Sequence, residues 1–245
     1  MTRDLVVQKI FKGIKEAHFL SIELLDGDFT QLRPEYALTV TVAQAFVDDF
    51  KKRDYLIKIE EPTKTFASSC VPQHTIKKLK FAGDHNSGRN GKIDIALYKN
   101  KPTETSWFRP PALCPIELKG VNPSVSEFYK DIARNIEYFL LTDQLTGKSE
   151  LEMAFFGTAF YYPKMEYNSQ IPIYKTKVKS KVEKWMKKFE AILISNELTY
   201  TIEIEILASS LVDESDSCID SDIIADCHCF IGVVLVIERF SSLVY

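Results

Sequence analysis

The hydrophobic and polar positions of this chain repeat at two intervals, and these intervals predict where helices and strands lie. Apolar residues three and four positions apart predict helices over 5–25, 34–53, 124–143 and 177–194. Alternating or short continuous apolar runs predict strands over 55–62, 92–99, 112–120, 151–162, 200–207 and 229–239. The chain shows no internal repeat and no clear linker. We therefore expect an α/β fold around one sheet, with residues 1–245 forming a single domain.

The composition is that of an ordinary globular protein, because 45% of the 245 residues are hydrophobic and 27% are charged. The formal net charge of −3 excludes a generally basic surface but is compatible with a local basic groove for nucleic acid. No apolar run reaches the roughly 18–20 residues of a membrane span, and charges interrupt the N-terminus where a signal peptide needs an apolar stretch. The five cysteines lack the spacing of a disulfide framework. We expect a reduced, cytoplasmic protein without a membrane partner.

Two neighbouring predicted strands carry carboxylates among apolar residues. Asp94 lies within the strand 92–99, and Glu117 and Lys119 lie two positions apart in the next one. If these strands pair as a hairpin, Asp94 and Glu117 face each other across roughly 5 Å. Two carboxylates at that distance repel each other, and a divalent cation such as Mg²⁺ is the simplest compensation. Lys119, on the same face as Glu117, can then polarise or deprotonate a water or stabilise charge on a phosphate.

These residues suggest metal-assisted phosphodiester hydrolysis. The alternative is a salt bridge on an edge strand, which the apolar neighbours of Asp94 and Glu117 disfavour. The series Asp94…Glu117-Leu118-Lys119, between the predicted helices 34–53 and 124–143, resembles the PD-(D/E)xK superfamily of restriction-endonuclease-like nucleases. One position departs from the pattern, because Ile93 stands where the family name has a proline.

The resemblance covers about residues 34–162 and implies an α-β-β-β-α-β core, in which helices flank a mixed central sheet. Residues 163–245 would then be a C-terminal elaboration of helix and strands. The resemblance also implies the ligands of a Mg²⁺ ion, for which Mn²⁺ would substitute: Asp94, Glu117, the backbone carbonyl of Leu118 and, from the first core helix, Glu35. It implies that Lys119 is the catalytic lysine. For Glu35 the alternative is a carboxylate that only complements the positive end of the helix dipole.

Four basic residues are candidates for contacts with nucleic acid. Arg89 and Lys92 flank the Asp94 strand, where they could hold a phosphate backbone near the metal. The resemblance adds Lys130 and Arg134, on the helix that follows the Glu117 strand. We expect a Mg²⁺-dependent endonuclease for double-stranded DNA that acts in prokaryotic restriction, anti-phage defence or repair, as a homodimer or with other subunits of a defence complex. The alternative is a catalytically silent module of the same fold that docks nucleic acid or protein.

Two further patterns leave alternatives open. Seven lysines lie between residues 175 and 188, and they predict either a stripe that contacts phosphates or an ordinary solvated helix face. Cys227-His228-Cys229, with Cys218 upstream, has zinc-ligand residue types. Side chains alternate across a strand, so His228 would point away from Cys227 and Cys229. We therefore expect ordinary buried thiols there rather than a zinc site.

Overall fold

The computed structural model describes residues 1–25, 34–47, 55–71, 91–100, 110–143, 147–163, 167–211 and 228–240. The helices are α1 (Arg3–Leu25), α2 (Pro34–Val47), α3 (Thr63–Ser69), α4 (Val125–Phe139), α5 (Ile171–Met186) and α6 (Glu190–Ser195), with 3-10 turns at Asn168–Gln170 and Lys187–Phe189. The strands are β1 (Tyr55–Pro62), β2 (Lys92–Lys99), β3 (Ala112–Val121), β4 (Thr142–Asp143), β5 (Gly147–Lys148), β6 (Met153–Tyr162), β7 (Leu198–Ser210) and β8 (His228–Arg239).

Six of these strands form one mixed sheet in the order β1-β2-β3-β6-β8-β7. The pairs β1–β2 and β2–β3 are antiparallel, β3 and β6 are parallel, and β6–β8 and β8–β7 are antiparallel. The strands β4 and β5 form a separate two-stranded ribbon. The sequence-based prediction of an α/β protein around one sheet is therefore confirmed.

Helices cover both faces of this sheet, and successive residues of the central strands join two different cores. Phe155 packs with residues of α1 and α2, among them Ile14 and Val42. Its neighbour Phe156 packs on the other face with residues of α4 and α5, among them Ile132. Because both faces are buried, the central strands need apolar residues at consecutive positions, which explains the continuous apolar run in β6.

The helices α1 and α2 cross at a glycine. A Cβ atom added to Gly13 would lie 2.3 Å from the Cα of Val42 in α2, which is closer than any side chain can approach. Only glycine therefore allows the two backbones to approach this closely. The crossing fixes the position of α2, whose first turn carries Glu35.

Several predicted boundaries differ from the observed ones. The helix predicted over 124–143 ends at Phe139, because residues 142–143 pair with 147–148; its start is fixed by a capping box between Ser124 and Glu127. The helix predicted over 177–194 begins already at Ile171, where a proline occupies the first turn, and a 3-10 turn at 187–189 interrupts it. The short α3 was not predicted. Residues 48–53 of the second predicted helix lie outside the described ranges.

None of the helices in these ranges combines the length and the apolar composition that a membrane span requires.

Candidate active site

Asp94 and Glu117 lie side by side where β2 and β3 separate. The ladder between these strands pairs Ile95 with Ile116, and Asp94 and Glu117 are the next residues beyond that pair. The Oδ2 atom of Asp94 accepts a hydrogen bond from the backbone N–H of Leu118 at 2.6 Å. A side-chain carboxylate thus takes the place of a strand carbonyl, which holds Asp94 against β3.

Glu117 is buried, with 1% of its surface exposed, and it is paired with an arginine from α4. Its Oε1 atom accepts a hydrogen bond from Nη1 of Arg134 at 2.7 Å, and the same nitrogen donates to the carbonyl of Lys92 at 3.0 Å. Burial raises the pKa of Glu117 to about 8; Arg134 opposes this shift, whereas the nearby carboxylates Asp94 and Asp131 add to it. The sequence places Arg134 among the nucleic-acid contacts, but its guanidinium faces inward onto Glu117.

Lys119 lies between carboxylates from two helices. Its Nζ atom is 3.3 Å from Oε1 of Glu35 in α2 and 3.3 Å from Oδ2 of Asp131 in α4. Burial alone would lower the pKa of Lys119, but Asp131, Glu35 and Asp94 outweigh it and raise that pKa above its ordinary value. The side chain is therefore a cation at neutral pH. It is suited to stabilise negative charge and not to accept a proton.

Asp131 is part of this site and was not predicted from the sequence. It is buried, its Oδ2 atom faces Lys119, and its Oδ1 atom is 3.5 Å from Nη2 of Arg134. Burial raises its pKa, while Lys119 and Arg134 oppose the shift. The signal was present in the sequence, because residue 131 falls on the same side of the helix as Phe128 and Ile132, which form its apolar face.

An open cavity of about 880 Å³ gives access to this cluster. Asp94, Lys119, Glu35 and Lys92 line it, together with residues 120–123, where β3 ends and the chain leads into α4. Burial raises the pKa of Asp94 to about 6, against the hydrogen bond from Leu118 and the charge of Lys119, and with a contribution from the carboxylates Asp131 and Glu35. The volume of the cavity lies within the range of small-ligand sites.

The structure places the remaining candidates at different distances from the cavity. Lys92 lies at its rim and pairs with Glu60 at 3.1 Å. Lys130 is exposed on α4, next to Asp131. Arg89, Cys218 and Cys227 lie outside the described residues. Cys229 is a buried free thiol in the core on the α4 side of the sheet, whereas its neighbour His228 lies near the ring of His18 in α1, with ring centroids 6.4 Å apart.

The cluster holds more carboxylates than side-chain cations. Four carboxylates, on Glu35, Asp94, Glu117 and Asp131, interact with two side-chain cations, on Lys119 and Arg134. The unbalanced negative charge contributes to the raised pKa values of Asp94 and Glu117, and oxygen ligands suit Mg²⁺. Within the described ranges, no three His, Cys, Asp or Glu side chains converge to hold a metal ion. The oxygen donors suit Mg²⁺ by type, but as placed they do not form a set of ligands, and Arg134 already occupies one oxygen of Glu117.

Comparison of the chain with models of known protein families, with curated proteins and with solved structures gave no match. The fold shows an α/β protein with a mixed six-stranded sheet flanked by helices. Its function is therefore inferred from the geometry and chemistry of the site.

Proposed function

We propose that this protein is a metal-dependent nuclease that hydrolyses phosphodiester bonds, and that it acts as an endonuclease on double-stranded DNA. One observation carries the proposal. Asp94 and Lys119 come from neighbouring strands to line one open cavity, and Glu117 lies buried next to Asp94, whose carboxylate is bonded to the Leu118 N–H at 2.6 Å. Carboxylates and a lysine in this arrangement are the side chains that metal-assisted phosphoryl chemistry uses.

The arrangement of elements supports the finer assignment to the PD-(D/E)xK nucleases. From α2 to β6 the order of the main sheet and its covering helices is α2-β1-β2-β3-α4-β6, with the short α3 inserted after β1. Three antiparallel strands are followed by a helix and a strand parallel to the third. This is the order that the resemblance implies for residues 34–162, and it leaves α5, α6, β7 and β8 as the C-terminal elaboration.

We assign the metal ligands from the resemblance and the role of Lys119 from its contacts. Asp94, Glu117 and the carbonyl of Leu118 would hold Mg²⁺ or Mn²⁺, which supplies Lewis-acid charge at the phosphate and makes a water more acidic. Lys119, kept protonated by Glu35 and Asp131, donates a hydrogen bond to a phosphate oxygen as negative charge develops there.

Basic residues around the cavity would position the substrate. Lys92 at the rim and Lys130 on α4 bind the neighbouring phosphates in this proposal, and Arg89 is assigned with them from the sequence. Arg134 instead donates a hydrogen bond to Glu117, so its part in substrate binding is indirect. The setting in restriction, defence or repair, the cytoplasmic location and the assembly as a homodimer or with other subunits rest on the resemblance alone.

A cleavage assay tests the proposal. The purified chain is incubated with plasmid and with linear duplex in Mg²⁺, in Mn²⁺ or in EDTA. We expect cleavage only with metal, and we expect Lys119→Met and Asp94→Asn each to reduce its rate by about 10²–10³, as the loss of a charge-stabilising group does. Lys148→Met, at an exposed lysine of β5, is the matched control and should cleave like the wild type. Wild-type rates in folded Lys119→Met would refute the assignment.

A catalytically silent docking module is the second candidate, and the ion pair between Arg134 and Glu117 favours it, because this pair occupies a proposed metal ligand. Metal binding separates the two functions. A nuclease should gain about 2.7 kcal/mol of stability at Mg²⁺ concentrations a hundredfold above Kd, and the gain should disappear in Glu117→Gln. Duplex binding without cleavage and without that metal-dependent gain would support the docking module.

A further inference from the structure

A row of four lysines follows one side of α5 and the 3-10 turn after it. Lys177, Lys181, Lys184 and Lys188, hereafter the lysine row, are spaced by four, three and four residues, which places them on one side of a helix. The other side of α5 packs against the core through the buried residues Val178, Val182 and Met186. At 1.5 Å per residue the lysine row extends over roughly 16 Å.

Aromatic rings hold three of the four ammonium groups in place. The Nζ atom of Lys188 is 4.1 Å from the ring centroid of Tyr129 in α4. Lys181 lies 4.8 Å from the ring centroid of Phe160 in β6, and Lys177 lies 4.5 Å from that of Tyr174. These contacts restrain side chains that are otherwise mobile, so a ligand would find the charges already ordered.

The same contacts show which way the lysine row faces. Tyr129 belongs to α4, the helix that directly follows the cavity-lining residues 120–123. Phe160 lies close to the end of β6, the strand parallel to β3 and paired with it as far as Val121 and Ala159. The lysine row therefore lies on the side of α5 that faces α4 and the end of the sheet where the cavity opens.

The lysine row presents four exposed positive charges on a protein whose formal net charge is −3. Among the residues that the structure describes, no carboxylate forms a salt bridge with it. An ammonium group already lies over each of the rings of Tyr129, Phe160 and Tyr174, which leaves less ring surface for stacked bases. The apolar side of α5 is buried and cannot insert into a lipid surface. These features favour a phosphate backbone as the ligand.

We propose that the lysine row binds the sugar-phosphate backbone of duplex DNA outside the cavity, on the α4 side, as a second contact site of the substrate. The proposal rests on the proposed function, because the duplex is the substrate inferred there. The span of the lysine row matches about five base pairs at 3.4 Å per step. The contact carries no sequence information, since only phosphates meet the lysines.

Binding measurements on the whole chain test this proposal. Fluorescence anisotropy with a labelled duplex of about 30 base pairs, in Ca²⁺ and over a series of salt concentrations, gives Kd and its salt dependence without requiring cleavage. The test variant is K177Q/K184Q/K188Q, which leaves Lys181 over Phe160. The matched control, K175Q/K179Q/K187Q, removes three lysines from the rest of the same segment and changes the net charge equally.

We expect the test variant to weaken duplex binding at least tenfold and to lower the slope of log Kd against log salt by about 2.7, which is 0.9 for each of three lost contacts. The control should stay within about twofold of the wild type in Kd. Equal losses of duplex affinity in both variants, or no duplex binding by the wild type, would overturn the proposal. In a parallel assay with vesicles of anionic phospholipid, a loss of vesicle binding by the test variant without a loss of duplex binding would also overturn it. Failure of the nuclease assignment is read separately, from metal-dependent cleavage by the wild type, whereas the difference in salt slope between the two triple variants in Ca²⁺ tests the lysine row alone.

Discussion

Replacing Glu117 by glutamine is expected to change how the stability of the protein depends on pH. The carboxyl of Glu117 is 1% exposed, and burial raises its pKa to about 8 from an ordinary value of 4.5. Between these two values the folded protein keeps a proton that the unfolded chain releases. Stability therefore falls as pH rises through this range. Glutamine keeps the shape of the side chain and cannot ionise, so the variant lacks this decline.

The size of the effect follows from the pKa difference. One proton contributes up to 1.36 kcal/mol for each pH unit, so Glu117 accounts for a loss of about 3–4 kcal/mol in the free energy of unfolding between pH 5 and pH 8. Glutamine also changes the contact with Arg134, which adds a cost to the free energy of unfolding that does not depend on the ionisation of residue 117. The pH dependence of stability therefore reports on Glu117 more directly than stability at a single pH.

Urea unfolding in EDTA at about pH 5 and pH 8 measures this difference. The wild type should lose about 3–4 kcal/mol more than Glu117→Gln between the two conditions. Glu205→Gln, at an exposed glutamate of β7, should behave like the wild type. If all three proteins show the same decline, Glu117 does not hold a proton in the folded protein and the electrostatic argument for a cation at this cluster fails.

The remaining predictions concern the helices on the α1 and α2 side. Gly13→Ala should lower the free energy of unfolding by about 1–3 kcal/mol, because its Cβ would meet the Val42 backbone at 2.3 Å; an unchanged urea midpoint would contradict the close helix crossing. Burial, together with the charge of His228, lowers the pKa of His18 to about 4, so the unfolded chain holds the extra proton and stability should rise by about 2 kcal/mol as pH increases from 4 to 6.5. His18→Phe should flatten that rise. A rise of equal size in this variant would mean that another titrating group causes it. Glu35→Gln should reduce cleavage about tenfold while lowering the free energy of unfolding by at most about 0.3–1 kcal/mol. Unchanged cleavage would leave Glu35 as a charge at the helix end.

The strands that carry the site could be predicted from the sequence because their signal is local. Apolar residues flank Asp94 and Glu117 in β2 and β3, and the two strands are consecutive in the main sheet. An antiparallel pairing of β2 with β3 then brings the two carboxylates to the same end of the strand pair. The proximity of Asp94 and Glu117 follows from this pairing alone.

The partners of those residues could not be predicted, because they depend on how α4 packs against the sheet. Lys130, Asp131 and Arg134 are all polar residues on one helix, yet Asp131 and Arg134 turn inward while Lys130 stays exposed. The rotation of α4 is set by its apolar face, and small differences of angle decide which polar side chain reaches Glu117. The pattern of apolar positions identifies the buried side of the helix, but not the ion pairs at its margin.

The position of β8 in the sheet has a consequence for the order in which the protein can be completed during synthesis. The candidate site is encoded between Glu35 and Arg134, in the first part of the chain. The strand β6, which borders β3, finds its second neighbour only in β8, and the two pair along the whole length of β6, from Met153 to Tyr162. Until β8 has left the ribosome, one edge of β6 has unpaired backbone groups, and such an edge promotes pairing with other chains. The framework of the site is thus finished last, although its side chains are made first.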